Sequence, residues 1–252
     1  MVRVFFLYSS MMAVLMAKTL SVDYIVEFGI VGQVAKIHTS YYDNGKNYTI
    51  DSNVSAVGML ANSVTQHMRE RHICKGYIAK DKRLIAKSYQ MIKSFDSYRS
   101  MTLYTVDHTH KKILKTYKKW QKQKGKPDKK THDYHYPLHY YAKDDMITLF
   151  LNLGTHIKNK NKAKSYTFKA VGADRKNGRV DIKIPSSKAS KGMYKLLGKP
   201  KKGEWLMNLV MHRRLYNSKN GELMVKMGKD STIEKAVLKD LLFWGDVRII
   251  RR

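Results

Sequence analysis

The chain of 252 residues has one cysteine, Cys74. A single thiol closes no intrachain disulfide and builds no cysteine-based zinc site, so the fold must rest on its apolar core. Acidic residues are scarce too: 20 aspartates and glutamates face 49 lysines and arginines, a formal charge of +29. Polyanions are the natural partners of such a surface, among them anionic lipid headgroups, lipopolysaccharide phosphates, acidic glycans and nucleic acid. No RNA-recognition signature, zinc finger or recognition-helix pattern is present, so specific nucleic-acid recognition is not expected. Hydrolase motifs are also missing: there is no G-x-S-x-G, no H-E-x-x-H and no S-x-x-K in a convincing setting. Gly198 and Gly203 have phosphate-loop spacing, but Glu204 and Trp205 follow where lysine and serine or threonine would hold phosphate and magnesium. The sequence therefore assigns no catalytic residue and no cofactor, and the reading is of a non-enzymatic protein.

What is present begins with residues 1–17, which read as an export signal. Arg3 supplies a minimal charged region, residues 4–16 an apolar run, and Ala17 a small residue at a cleavage point. That run is short for a bilayer span, and no second run approaches membrane length, so an integral membrane protein is not indicated. Cys74 lies too far from the junction to carry a lipid anchor. The expectation is a signal peptide over 1–17 and a single exported, periplasmic domain over 18–252, large enough for a self-sufficient core.

The periodicity of that domain is two. SVDYIVEFG alternates Val22, Tyr24, Val26 and Phe28 with polar neighbours, and RVDIKIP places Val180, Ile182 and Ile184 on one face. Three Asn-Gly dipeptides, Asn44-Gly45, Asn177-Gly178 and Asn220-Gly221, sit between such runs and suit type I′ hairpin turns, which need positive φ at both central residues. At least ten strands are predicted. Helix is scarce, with a short one expected within residues 62–71 and a better one at MITLFLNL, preceded by the capping aspartates Asp144 and Asp145. The fold expected is mainly β: a curved antiparallel sheet or incomplete barrel built from hairpins, with one or two short helices. Residues 121–139 lack apolar periodicity and read as a lysine- and histidine-rich loop.

Three groups of residues are candidates for binding. Met207, Leu209 and Met211 fall on one face of a methionine-rich hairpin, and flexible thioethers suit a pocket for acyl chains, with ordinary core packing as the competing reading. Residues 111–130 hold ten lysines and one aspartate. Lys111, Lys112, Lys115, Lys118, Lys119, Lys122 and Lys124, with Trp120 among them, are the candidate polyanion track; an edge strand guarded by lysines and followed by a solvated loop is the favoured reading of the same residues. His132, His135 and His139 have ligand-type spacing, but Pro137 interrupts any helix that would align them, so surface histidines are the default and no metal is assigned.

Three segments carry a family resemblance: YIVEFGIVGQVAKI near the start of the domain, YYAKDDMITLFLNL in its middle and ELMVKMGKDSTIEKAVLKDLLFWGDVRIIR at its end. Together they resemble the exported bacterial family catalogued as domain of unknown function 3108, in its epsilon-proteobacterial form. The resemblance implies a periplasmic, mainly antiparallel β protein and carries over no catalytic residues. The high lysine content departs from that pattern. Compartment, charge and fold class lead to one expectation, an envelope protein binding an apolar or anionic lipid-like ligand. The alternative is an exported polyanion-binding or surface-interaction protein using residues 111–130.

Overall fold

The computed structural model describes residues 18–173, 176–210, 222–241 and 245–252. The expected signal segment, Met211 and the Asn220-Gly221 dipeptide lie outside them.

Eight strands follow one another as an antiparallel meander: β1 (Lys18–Phe28), β2 (Gly32–Asp43), β3 (Asn47–Ala56), β4 (Arg69–Ile78), β5 (Leu84–Ser94), β6 (Tyr98–Asp107), β7 (Lys112–Gln123) and β8 (Lys126–Pro137). A two-residue strand, β9 (Asp144–Asp145), leads into a helix. A second meander then runs through β10 (Lys164–Val171), β11 (Arg179–Ile184), β12 (Trp205–Val210), β13 (Glu222–Met227), β14 (Ile233–Leu241) and β15 (Gly245–Arg251). The meanders join where β15 pairs with β1, Tyr24 opposite Arg251 and Phe28 opposite Val247. The result is one 15-stranded sheet with β8 at one edge and β9 at the other. It is the open, mainly antiparallel sheet that the alternation predicts.

Among the described residues three α-helices accompany it: α1 (Met59–Thr65), α2 (Met146–His156) and α3 (Ser187–Leu197). Helix α2 lies between the two halves of the sheet. Its Leu149 and Leu153, with Ile157 just past its end, pack with Ile182, Trp205, Met207 and Leu209 of the second meander. Its Ile147 and Leu151 pack with Tyr48, Ile50 and Tyr89 of the first. A helix apolar nearly all round is what a central position requires. Helix α3 covers the opposite face of the second meander through Met193 and Leu197, against Leu206 and Val237. Its i, i+4 apolar pair is diluted by lysine and serine, so the segment carries little helical periodicity of its own.

Residues 121–139 are not a loop. They complete β7, turn at Gly125 and form β8, which pairs with β7 from Gln123 opposite Lys126 to Leu114 opposite Pro137. Strand β8 is mostly exposed, and an edge strand wet on both faces needs no apolar alternation; its lysines guard the unpaired edge. The Asn44-Gly45 turn also differs from expectation. Only Gly45 takes positive φ (79°), at the first central position between Asn44 and Asn47, which is the II′ arrangement. Around Asn177-Gly178 the register sets Lys169 opposite Arg179, so the connection is longer than two residues.

Candidate ligand cavity and its polar spine

Alternation places Val22, Ile37, Thr39, Ile50 and Ser52 on the inner face of the first three strands. Helix α2 does not fill the space above them. A cavity of about 200 Å³ remains, closed from the other side by Ile147, Phe150 and Leu151 of α2 and by Ile233 and Ile249 across the β1–β15 seam. Its wall is apolar apart from a few hydroxyls, two of which satisfy each other: Thr39 Oγ1 and Ser52 Oγ lie 2.8 Å apart. At the rim, Tyr24 borders Arg251, whose guanidinium donates to Asp230 (2.8 Å), Glu234 (2.6 Å) and Thr232 Oγ1 (2.9 Å). This cluster ties β15 to β14 and the turn before it, beside the cavity.

The depth of α2 in the trough is set by a buried polar spine. Asp145 caps the helix, its Oδ1 accepting from the Ile147 and Thr148 backbone N–H groups at 2.9 and 3.0 Å. Its Oδ2 accepts from the Thr148 hydroxyl at 2.7 Å, so that hydroxyl in turn accepts from Tyr48 OH at 2.9 Å. The Cys74 thiol donates to Asp145 Oδ1 at 3.1 Å. Burial pushes the Asp145 carboxyl above the ordinary aspartate range, against the pull of the donors from Thr148, Cys74 and Ile147. Burial, then the adjacent carboxylate, raises the Cys74 thiol well above a free cysteine. Such a thiol is a structural donor rather than a nucleophile. One turn on, Asn152 bridges to the Leu84 backbone in both directions (3.0 and 2.8 Å) and donates to Asp144 at 2.9 Å. Thus one of the two aspartates caps the helix and the other orients the amide that ties α2 to β5.

Tyr48 reaches Thr148 because Gly76 lies under its ring. A Cβ built at Gly76 would collide with the Ile85 carbonyl oxygen and stand 2.7 Å from Tyr48 Cε1. Farther along the same face, a second chain of polar groups runs from Lys93 to Glu70 (2.9 Å), to His72 (3.0 Å) and to Tyr89 OH (2.7 Å). Burial raises the Glu70 carboxyl, but the hydrogen bonds from His72 and Lys93 outweigh it and hold it below the usual range. The tautomer with His72 Nε2–H donating to Glu70 leaves Nδ1 to accept from Tyr89.

The residues singled out from sequence fall elsewhere. Met207 and Leu209 do share a face, and both are buried in the core beneath α2, so the described part of that hairpin packs as core. Strand alternation divides the lysine segment. Lys115 and Lys119 lie on the face of buried Ile113, against the rings of Tyr104 and Tyr136 and of Tyr98 respectively. Lys112, Lys118 and Trp120 lie on the other face, where Arg99 stacks on Trp120 at 4.6 Å. Lys111 sits in the preceding turn with φ 53°, Lys122 reaches Ser94 Oγ at 3.1 Å, and Lys124 is in the exposed turn before β8. No single cationic track results. His132 and His135, three apart on a strand, face opposite ways: His132 borders Tyr117 and Tyr134, whereas His135 meets Thr116 Oγ1 at 3.1 Å. His139 follows the strand end, and among the described residues no group of three His, Cys, Asp or Glu side chains is arranged to hold a metal. The apolar cavity itself was not legible in sequence, because its walls come from strands at both ends of the chain.

No family model matches the chain, and no curated protein does. Among solved structures the chain is similar to a β-barrel-like protein of domain of unknown function DUF1849 from Brucella abortus. The two share 10% identity with a TM-score of 0.48, over 95% of this chain and 98% of that one. Among the described residues no helix is long and apolar enough to cross a membrane.

Proposed function

We propose that this is a non-enzymatic, exported envelope protein that holds a lipid-like ligand by its acyl chain in the cavity between β1–β3 and α2. The observation that carries the reading is the cavity's apolar wall at the centre of a strongly basic molecule. Whole-ligand pockets usually span about 300–1,000 Å³. At about 200 Å³ the cavity accepts a short length of chain and leaves a headgroup outside, where the net positive charge of the molecule attracts an anion. The export-type sequence of residues 1–17 and the resemblance to the 3108 family support a periplasmic setting and belong to the same proposal.

Mass spectrometry of small molecules extracted from protein purified after native export, without detergent and beside a lysine-rich periplasmic control, tests it. A stoichiometric acyl-chain ligand is expected, lost in Thr39→Phe, which fills the cavity, and retained in Met207→Leu, which alters only the core. An empty wild-type protein that also fails to bind a fluorescent fatty acid refutes the reading.

A further inference from the structure

We infer that α1 and the basic rim beside it form a docking surface for an anionic lipid bilayer. Met59, Leu60 and Val64 are 89%, 66% and 83% exposed, against 42–51% for the other exposed large hydrophobic residues. Leu60 and Val64, at i and i+4, share a helix face with Met59 beside them, and no residue of α1 is buried. Seven residues without a side-chain cap make a helix that is marginal in water. Its ends are nonetheless fixed. Gly58, Gln66 and His67 take positive φ on its two flanks, and the Asp96 N–H donates to the Gln66 carbonyl at 3.0 Å. The apolar face is thus presented outward by a braced loop, and none of the described residues covers it.

Charge complementarity points to what covers it. The same end of the sheet carries Arg69 and the β7–β8 turn, where Lys122, Lys124 and Lys126 are exposed. Two carboxylates at this end are engaged, Asp96 by His67 at 2.8 Å and Asp128 by Arg99 at 2.8 Å. Apolar side chains at the tip with cations beside them suit insertion at the headgroup boundary of a bilayer whose surface is negative. From this rim the inner face continues through the Ala35–Ala56 and Ile37–Val54 pairs to Thr39 and Ser52 of the cavity. Docking here would set the trough over the membrane.

The test uses an environment-sensitive fluorophore on Ser63→Cys, an exposed position of α1 one turn after Met59 and next to Val64, and on Lys46→Cys, in the turn at the opposite end of the sheet. Native Cys74, 0% exposed, does not take the label. With vesicles containing phosphatidylglycerol, a blue shift is expected at position 63 and none at 46; phosphatidylcholine vesicles should give neither. Replacing Met59, Leu60 and Val64 with serine in the full-length chain should lower vesicle partitioning about tenfold or more. Reversing Lys122, Lys124 and Lys126 to glutamate should remove the preference for phosphatidylglycerol. Equal shifts at both positions, no shift at either, unchanged partitioning of the serine variant, or a shift at 63 that follows protein concentration without lipid each overturns the inference, the last in favour of self-association. An empty cavity would leave this result untouched, so the two readings fail separately.

Discussion

Replacing Asp145 tests whether the polar spine, rather than apolar contact alone, holds α2 in the sheet. Asp145→Ala removes a helix cap worth about 1 kcal/mol and leaves two backbone N–H groups and the Thr148 hydroxyl without their acceptor. Buried donors left unmade cost about 1–3 kcal/mol each, and release of a desolvated carboxylate offsets part of that. The net expectation is roughly 3 kcal/mol, or a fall in Tm of about 6–12 °C for a domain of this size. Asp145→Asn keeps an acceptor for the backbone and should cost about 1 kcal/mol. The pH dependence separates the two effects. Because the folded carboxyl is raised, the folded state binds more protons than the unfolded state between the ordinary value, about 3.9, and the raised one. Stability from this group is therefore greatest below the ordinary value and falls as pH rises through the folded value. Asp145→Asn should abolish that fall. Urea unfolding followed by circular dichroism from pH 4 to 8 measures both. Equal costs for the alanine and asparagine variants, or an unchanged pH profile in Asp145→Asn, would refute the reasoning.

Two further outcomes follow from the same region. Gly76→Ala forces a methyl against the Ile85 carbonyl and the Tyr48 ring, so it should destabilise by about 3 kcal/mol in chemical denaturation; a change under about 0.5 kcal/mol would show that Tyr48 is free to move. Cys74 should resist thiol reagents in the native protein and react at the global unfolding rate; fast labelling under native conditions would contradict its burial and raised thiol.

Much of the architecture is carried by local pattern. The two-residue alternation around Val22, Ile50 and Val180 marks strands buried on one face, and Asp145 before an apolar run marks the start of α2. Where a segment has no buried stripe, or a diluted one, pattern fails: β8 formed where a loop was expected, and α3 where nothing was. Segment type is decided by neighbours a few residues apart, so sequence alone determined a mainly β chain of hairpins around a capped helix, with no disulfide framework. Other features were decided only by tertiary structure. These are the meeting of β1 with β15, the use of Met207 and Leu209 as buried core, the hydrogen bond from Cys74 to Asp145 and the cavity beside α2. Each depends on which distant strands share an inner face and how deeply α2 settles between them, and those are properties of long-range pairing and packing that no local periodicity encodes.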